Sequence, residues 1–372
     1  MSGRRIDPVG LGLLLGFAGD RVFGDPRRGH PVAGFGQVAV RVEQHLHADD
    51  RTRGAVAVAI LVTATAGVGM LERRLPTPAR VVIAASVTWS VLGGRSLERE
   101  GQAIGELLYS DDVPGARLRI RNLVGRDPSN LEADGIARAC VESIAENSAD
   151  AVVAPLFWGA VAGVPGLLGY RAINTLDAMW GHRNTRYREF GWAAARLDDV
   201  ANWLPARLTV GLNAALAGPV RARAVIDTVR RDAPAHPSPN AGPVEASWAA
   251  ALKVRMGGTN HYDGVDEDRG HLGDGPPIRA TDIPRATHHL KRLSTAALVS
   301  LVTTRLLALS CRDGKAQEVE LATRKRKKSP RRSGLAAGWR GGAISERAAK
   351  GGRRPRTPLR TSQRAPEGGA RR

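Results

Sequence analysis

The sequence has 372 residues, with 55 Lys and Arg against 36 Asp and Glu and a formal net charge of +19. Such a charge suggests nucleic-acid binding, but the excess lies at the C-terminal end. After residue 310 there are 19 basic and 5 acidic side chains, which leaves 36 against 31 before it. The two cysteines, Cys140 and Cys311, form no CxxC pair, which excludes a disulfide scaffold and a cysteine metal cluster.

Six apolar segments divide the first 310 residues. Residues 54–71 and 151–170 carry no charge and are long enough to cross about 30 Å of hydrocarbon. Shorter or interrupted segments are 9–23, 81–94, 208–220 and 293–309, the last of which contains Arg305. The pattern predicts an all-α, multi-pass integral membrane protein with large polar helical loops. The alternative is a set of buried helices in a soluble core rich in Ala, Val and Gly.

The chain is predicted to have two parts. Residues 1–310 form the membrane domain, and residues 311–372 form a basic, low-complexity tail with too few apolar side chains to fold. The tail is either a solvated extension or the product of a reading-frame change. Because Trp339 is its only aromatic residue and no recognition module is visible, we expect no specific nucleic-acid partner.

The segment 127–150 is predicted to be a helix that starts with a capping box formed by Ser129 and Glu132. At 100° per residue, Glu142, Glu146 and Asp150 share one stripe, and apolar side chains occupy the opposite face. Like charges at this spacing repel one another, so the stripe needs a cation. That cation is Arg138 one turn earlier, a bound Mg²⁺ or a cationic substrate group, unless the stripe is only a solvated face.

A second polar cluster lies in ARLDDVANWLPAR. Asp198 and Asn202 are i, i+4 neighbours, and Asp199 lies beside them, so three hard oxygen donors share one surface, as Mg²⁺ prefers. Arg196 and Arg207 flank the cluster, and a divalent ion with nearby arginines is typical of sites that handle phosphate. The alternative is an acidic first turn that favours a helix N-terminus.

Other polar residues are weaker candidates when taken alone. Asn174 and Asp177 have i, i+3 spacing and either add metal ligands or are structural. Asp25 and His30 lie in GDPRRGHP, and Asn240 lies in HPSPN, where Gly and Pro favour tight turns. No P-loop, strand-bound GxGxxG or GxSxG motif is present, so no standard nucleotide fold or serine hydrolase is indicated.

Five motifs, in this order, resemble one known family. They are GDPRRGHPV, ENSADAVVAPLFW, NTLDAMWGHRN, FGWAAARLDDVANWLPARLT and SPNAGPVEA. The chain resembles the membrane-bound adenosylcobinamide-phosphate synthase family of cobalamin (vitamin B12) biosynthesis over roughly residues 9–309. The resemblance implies an ATP-dependent ligase that joins an aminopropanol, or its phosphate, to adenosylcobyric acid through an amide. It also implies a cell-membrane location, contact with lipid and an association with other cobalamin-pathway enzymes.

Roles for the candidate residues follow from combining the resemblance with the residue chemistry. We expect a Mg²⁺ ion at the Asp198 cluster, with ATP as co-substrate, phosphate contacts from the two flanking arginines, and Glu142 or Glu146 as the proton acceptor. Asp150 is expected to be catalytic as well, without an assigned step. Six further motif residues are expected to bind substrate, without an assigned step: Asp25, His30, Asn147, Asn174, Asp177 and Asn240. The competing class is a transporter or assembly factor that binds a cation without catalysis.

The segment 151–170 decides whether the two carboxylate groups can meet. If it crossed a membrane once, the Glu142 loop and the Asp198 loop would lie on opposite sides. Pro155, Pro165 and several glycines instead favour a broken or re-entrant segment buried in the protein. We therefore predict that this segment does not span singly.

Overall fold

The computed structural model describes residues 7–26, 29–125, 127–182, 184–262 and 265–328. The regular structure of these residues is helical except for one hairpin, which confirms the predicted all-α class with a single local exception. The helices are α1 (Pro8–Phe23), α2 (Pro31–Leu46), α3 (Arg51–Met70), α4 (Thr77–Val91), α5 (Gly94–Tyr109), α6 (Val113–Ile120), α7 (Ala133–Ser148), α8 (Ala154–Ala162), α9 (Val164–Trp180), α10 (Trp192–Ala217), α11 (Pro219–Asp232), α12 (Ala241–Leu252) and α13 (Ile283–Lys328); the strands are β1 (Met256–Tyr262) and β2 (Val265–Leu272).

Four apolar clusters hold the described elements together, the smallest of them around Tyr170 and Ala201. The largest joins α5, α6, α7 and α12 to the start of α13 and to the hairpin, where Met256 and Leu272 pair across the strands and are both fully buried. A second cluster joins α1, α4 and α8 to the middle of α13. The third packs α2 and α3 around Trp180 and Phe190, whose rings meet edge to face.

Two described helical stretches are long and apolar enough to cross a membrane, Arg51–Arg74 and Ala280–Arg312. Only 28% of the apolar window of each is buried inside the protein, so most of these surfaces are left uncovered. Helices α1 and α4 have 16 and 15 residues and fall short of the about 20 that span hydrocarbon. The fold therefore supports a membrane location, and several crossings are not established by it.

The segment 151–170 does not form one continuous helix. Helix α8 has nine residues, and the chain turns at Gly163, whose φ of 74° is favourable only for glycine. Helix α9 then begins at once and packs against α8. The predicted break in this segment is confirmed, and its path relative to a membrane stays a prediction.

A π-helical turn, Ala149–Val153, joins α7 to α8. Pro155 has no N–H, so it cannot donate to the carbonyl of Ala151 in the usual helical ladder. That carbonyl instead accepts from the N–H of Gly93, at 3.1 Å, just before α5. The turn carries Asp150 and is held by a neighbouring helix end.

The predicted start of α7 is wrong. The helix begins at Ala133, and Glu132 occupies the N-cap position without a side-chain cap. Ser129 bonds to Asp127 through both its N–H and its hydroxyl, at 3.1 and 2.5 Å. This local turn competes with the capping box and leaves Ser129 outside the helix.

Arg305 does not disrupt the last apolar segment, because its charge is satisfied. It pairs with Asp7 at 2.6 Å and donates to the carbonyl of Ala160 at 2.7 Å. Helix α13 continues to Lys328, so the expected boundary at residue 310 falls inside a helix, and the chain divides into the units Met1–Gln317 and Glu318–Arg372. The disorder expected further along concerns residues 329–372, which lie outside the described residues.

Candidate active site

A polar cavity of about 380 Å³ brings together side chains from α7, α9 and α10. We call it the carboxylate cavity, because five carboxylates line it and no lysine or arginine does so among the described lining residues. The two clusters that the sequence places far apart therefore share one site. The five carboxylates are Glu146, Asp150, Asp177, Asp198 and Asp199.

A hydrogen-bonded chain fixes the inner wall of the cavity. Asp198 Oδ2 accepts from Asn202 Nδ2 at 2.9 Å, one helical turn along α10. The hydroxyl of Tyr170 lies 2.9 Å from Asn202 Oδ1 and 3.2 Å from the carbonyl oxygen of Asp150. Because both ends of the Asn202 amide are engaged, this residue positions Asp198, and its predicted role as a metal ligand is not favoured by the contacts.

Burial and mutual repulsion raise the pKa values of the cavity carboxyls. Burial raises the pKa of Asp198 to about 7, with Asp177 and Asp199 adding to the effect and the Asn202 hydrogen bond opposing it. The pKa of Asp177 is raised to about 6 by burial and by Asp199. Asp150 also has a raised pKa, from burial and the charges of Asp198, Glu146 and Asp177. These carboxyls therefore keep their protons to higher pH than exposed carboxyls do, and a cation that enters the cavity would favour their charged forms.

The opposite wall is the loop of residues 236–240, before α12. His236 Nδ1 accepts from the N–H of Ser238 at 3.1 Å, and Asn240 Nδ2 donates to the carbonyl of Asp199 at 2.8 Å. Arg207 holds the loop from outside: its guanidinium donates to Asn240 Oδ1 at 2.7 Å and to the carbonyl of Pro239 at 3.1 Å. Asn240 lines the cavity, whereas Arg207 supports the loop that encloses it.

Glu142 does not line the cavity, although it was predicted to act in catalysis. Its carboxylate is buried, accepts from the N–H of Gly257 at 2.8 Å and lies 4.0 Å from Arg138. Arg138 in turn donates to the carbonyl of Gly257 at 2.6 Å. Glu142 therefore ties α7 to the first strand of the hairpin.

Several other predicted residues also lie outside the lining. Arg196 is exposed and 3.7 Å from Asp199. Asn147 donates back to the carbonyl of Ser143, and His30 accepts from the N–H of Val32 as the N-cap of α2.

Asp25 and Asn174 are connected to the cavity through Arg171, which is partly buried. Arg171 donates to Asn174 Oδ1 at 3.3 Å, and the charges of both Asp25 and Asp150 act on its guanidinium. Asn174 is also close enough to Asp198 to lower the pKa of its carboxyl. These residues link the N-terminal motif to the cavity.

His236 and Ser238 line the cavity and were not among the predicted site residues. The available signal was their position in HPSPN, the same short motif as Asn240. His236 Nε2 lies 3.7 Å from Glu245 Oε1, and both side chains are almost fully buried. A histidine with a carboxylate partner beside a polar cavity is a common arrangement in functional sites.

The donors fit a Mg²⁺ ion that keeps much of its water. Among the described residues no three His, Cys, Asp or Glu side chains form a ready cage for a metal. Mg²⁺ commonly uses one or two carboxylates together with waters and substrate phosphates, so such a cage is not required. Asp198 Oδ1 is buried without a hydrogen-bond partner within the described part of the chain, which leaves it available to a cation.

Comparison with known proteins gives a consistent result. The family described as CobD/Cbib protein matches residues 13–290. A Cobalamin biosynthesis protein CobD from Mycobacterium tuberculosis is 51% identical over 280 residues, which cover 74% of this chain and 89% of that protein. Proteins of the same name from Rhodobacter capsulatus and Pelobacter propionicus are 46% identical over 283 residues (74% of this chain, 88% of that protein) and 38% identical over 317 residues (81% and 96%). No solved structure matches. The chain that builds the carboxylate cavity therefore belongs to the CobD/Cbib family of cobalamin biosynthesis proteins.

Proposed function

We propose that this protein catalyses an ATP-dependent ligation that joins an aminopropanol, or its phosphate, to adenosylcobyric acid through an amide bond. The observation that supports it most is the convergence of the two carboxylate clusters on one cavity. Both clusters lie in motifs that carry the family resemblance, and an amide ligase needs charge control at the point where amine, carboxylate and nucleotide meet.

The cluster of five carboxyl groups in the cavity suits cationic ligands. Making an amide from a carboxylate in water requires activation, and an acyl phosphate formed with ATP is the usual route. Mg²⁺ at Asp198 and Asp199 would neutralise phosphate oxygens and stabilise charge on the transferring phosphoryl group. The ammonium form of the amine is the second cation that the cavity can hold.

The amine must lose a proton before its nitrogen can attack the activated carboxyl carbon. Asp177, with a pKa raised to about 6, is suited to accept that proton near neutral pH, and Glu146 lies in the same lining. Glu142 is not assigned as the proton acceptor, because its carboxylate accepts a hydrogen bond from the N–H of Gly257; Asp177 and Glu146 take its place.

The size of the cavity restricts which part of the substrate enters. A corrin macrocycle is too large for a cavity of about 380 Å³. An aminopropanol phosphate together with one carboxylate arm of the corrinoid is small enough to enter. We therefore place the ring outside the mouth and only the reacting arm within. Arg207, whose guanidinium lies 4.8 Å from the ring centre of Trp203 and holds the 236–240 loop, is the cation that we assign to a phosphate group.

The same protein is proposed to cross the cell membrane several times. Besides the two long helices, the short helices α1 and α4 expose apolar side chains that water would not favour. Among them, Leu15 is 50% exposed and Val82 is 63% exposed. Packed together, α1 and α4 would present these faces to lipid.

The activity is tested by incubating the purified protein with adenosylcobyric acid, ATP, Mg²⁺ and radiolabelled aminopropanol or its phosphate. We expect label in the corrinoid only when ATP is present. Asp199→Asn should lower the rate about 100-fold or more, since it removes one charge from the cavity. Asp227→Asn, the same change at an exposed position on α11, is the matched control and should keep the normal rate.

Equal rates for the two variants would contradict the assigned site. Absence of ATP-dependent label from the wild-type protein, together with cation uptake into vesicles that contain it, would replace the ligase by the transporter alternative.

A further inference from the structure

A second cavity, of about 390 Å³, lies between the end of α12, the junction of α10 and α11, and the start of α13. It shares no lining residue with the carboxylate cavity. Its ionisable lining residues are all basic, and no carboxylate belongs to the described lining. We call it the basic cavity; these residues are Arg221, Arg285, His288, His289 and Arg292.

Two of the arginines are held in place by backbone carbonyls. Arg221 donates to the carbonyl of Ala251, and Arg285 donates to that of Leu252, so both cap the C-terminal end of α12. Arg285 also pairs with Asp282, the one carboxylate with a contact to this group among the described residues. A guanidinium has five N–H donors, and neither arginine uses all of them in these contacts.

His289 forms the fixed inner wall. It is 7% exposed, its Nε2 lies 2.9 Å from Asn213 Oδ1, and Asn213 donates to Ser247 at 2.8 Å. The ring also packs edge to face on Trp248, with 4.7 Å between centroids. This buried network holds one polar side chain of the lining in a single orientation before any ligand arrives.

Arg292 and His288 complete the lining from α13. Neither has an ion-pair partner within the described ranges, and the charges of Arg292, His288 and Arg221 all act on His289. Like charges brought this close repel one another unless an anion lies between them. Three guanidinium groups line this cavity, and a phosphate accepts several N–H donors at once.

We propose that the basic cavity binds the phosphate group of a phosphate-bearing anion. It lies where α13 enters its apolar stretch, since residues 293–309 follow Arg292 directly and belong to a candidate membrane span. A phospholipid headgroup and a free phosphorylated compound share this chemistry, and the position on α13 makes both accessible. The proposal is independent of the amide ligation, because it uses none of the cavity carboxylates.

The test uses the full chain purified in detergent and two probes. The first is inorganic pyrophosphate, measured by the shift in thermal unfolding midpoint. The second is phosphatidylglycerol compared with phosphatidylcholine, measured by native mass spectrometry of retained lipid. The double variant His288→Gln, Arg292→Gln should bind whichever probe the wild-type protein binds about tenfold more weakly, because a charge-assisted contact is lost.

Arg223→Gln is the matched control, since it removes a highly exposed arginine from α11 and changes the net charge in the same direction. Without a probe, the double variant should unfold at or above the wild-type temperature, because it relieves repulsion between like charges, and Arg223→Gln should unfold at the wild-type temperature, because Arg223 is highly exposed. A response to pyrophosphate in lipid-free protein identifies a soluble ligand, and selective retention of phosphatidylglycerol identifies a lipid. Equal losses in the two variants, or binding of neither probe by the wild-type protein, would overturn the proposal.

Discussion

Replacing Asp198 by asparagine should stabilise the protein at alkaline pH while removing a group that we propose is needed for activity. The folded-state pKa of Asp198 is raised from 3.8 to about 7, so the folded protein holds this proton more tightly than the unfolded chain does. Stability is therefore lost as pH rises from about 4 to about 7, and it stays lost above that range. The amide side chain of the variant would not ionise and would escape this loss.

The size of the effect follows from the shift. About 3 pKa units correspond to about 4 kcal/mol, at about 1.4 kcal/mol per unit. Because Asp198 shares its repulsion with Asp177 and Asp199, we expect the variant to gain only about half of this free energy of unfolding. The expected gain is about 2 kcal/mol at pH 8 and less than half of that value at pH 5. For a domain of this length the gain corresponds to about 4 °C in the unfolding midpoint.

The assay is thermal unfolding in detergent without divalent ions, at pH 5 and pH 8, for wild type, Asp198→Asn and the exposed control Asp227→Asn. Adding Mg²⁺ at pH 8 should stabilise the wild type more than Asp198→Asn and so narrow the gap. A gain that is equal at both pH values, or no gain at pH 8, would show that buried repulsion at Asp198 is not the cause.

Three further changes separate structural residues from functional ones. Glu142→Ala should lower the free energy of unfolding by about 1–3 kcal/mol, because the buried N–H of Gly257 loses its acceptor, while the folded protein should ligate at the normal rate. A fully folded variant without ligase activity would show that Glu142 belongs to the active site. Gly163→Ala should destabilise the protein by about 1–3 kcal/mol because its φ is 74°, whereas Gly211→Ala, in open space within α10, should be neutral or slightly stabilising in the same unfolding assay. Arg207→Ala should raise KM more than it lowers kcat, because it frees the Asn240 loop; an unchanged KM in steady-state kinetics would exclude that support role.

The sequence was informative where chemistry depends on neighbours along one helix. Asp198 and Asn202 are hydrogen-bonded at i, i+4 as their spacing predicts, and the apolar run before α9 is broken where its proline and glycine content indicates. The sequence did not predict the surroundings of a side chain where those surroundings come from an element far away along the chain. Helical periodicity put Glu142 in the same stripe as Glu146, but the hairpin that covers Glu142 joins the chain over 100 residues later.

The π-helical turn at Ala149–Val153 sets the direction in which the side chains of α8 point relative to those of α7. In a regular α-helix, each step of four residues turns the side-chain direction by about 40° beyond one full turn. After five such steps, the last side chain would point to the opposite side of the helix from the first. A π turn winds less per residue and cancels much of that drift. Six positions at this spacing, four before the turn's centre and two from it onward, are all buried: Ile136, Cys140, Ile144, Ser148, Val152 and Leu156. Deleting one residue from the turn would rotate everything after it by about 100° and turn the packed face of α8 outward.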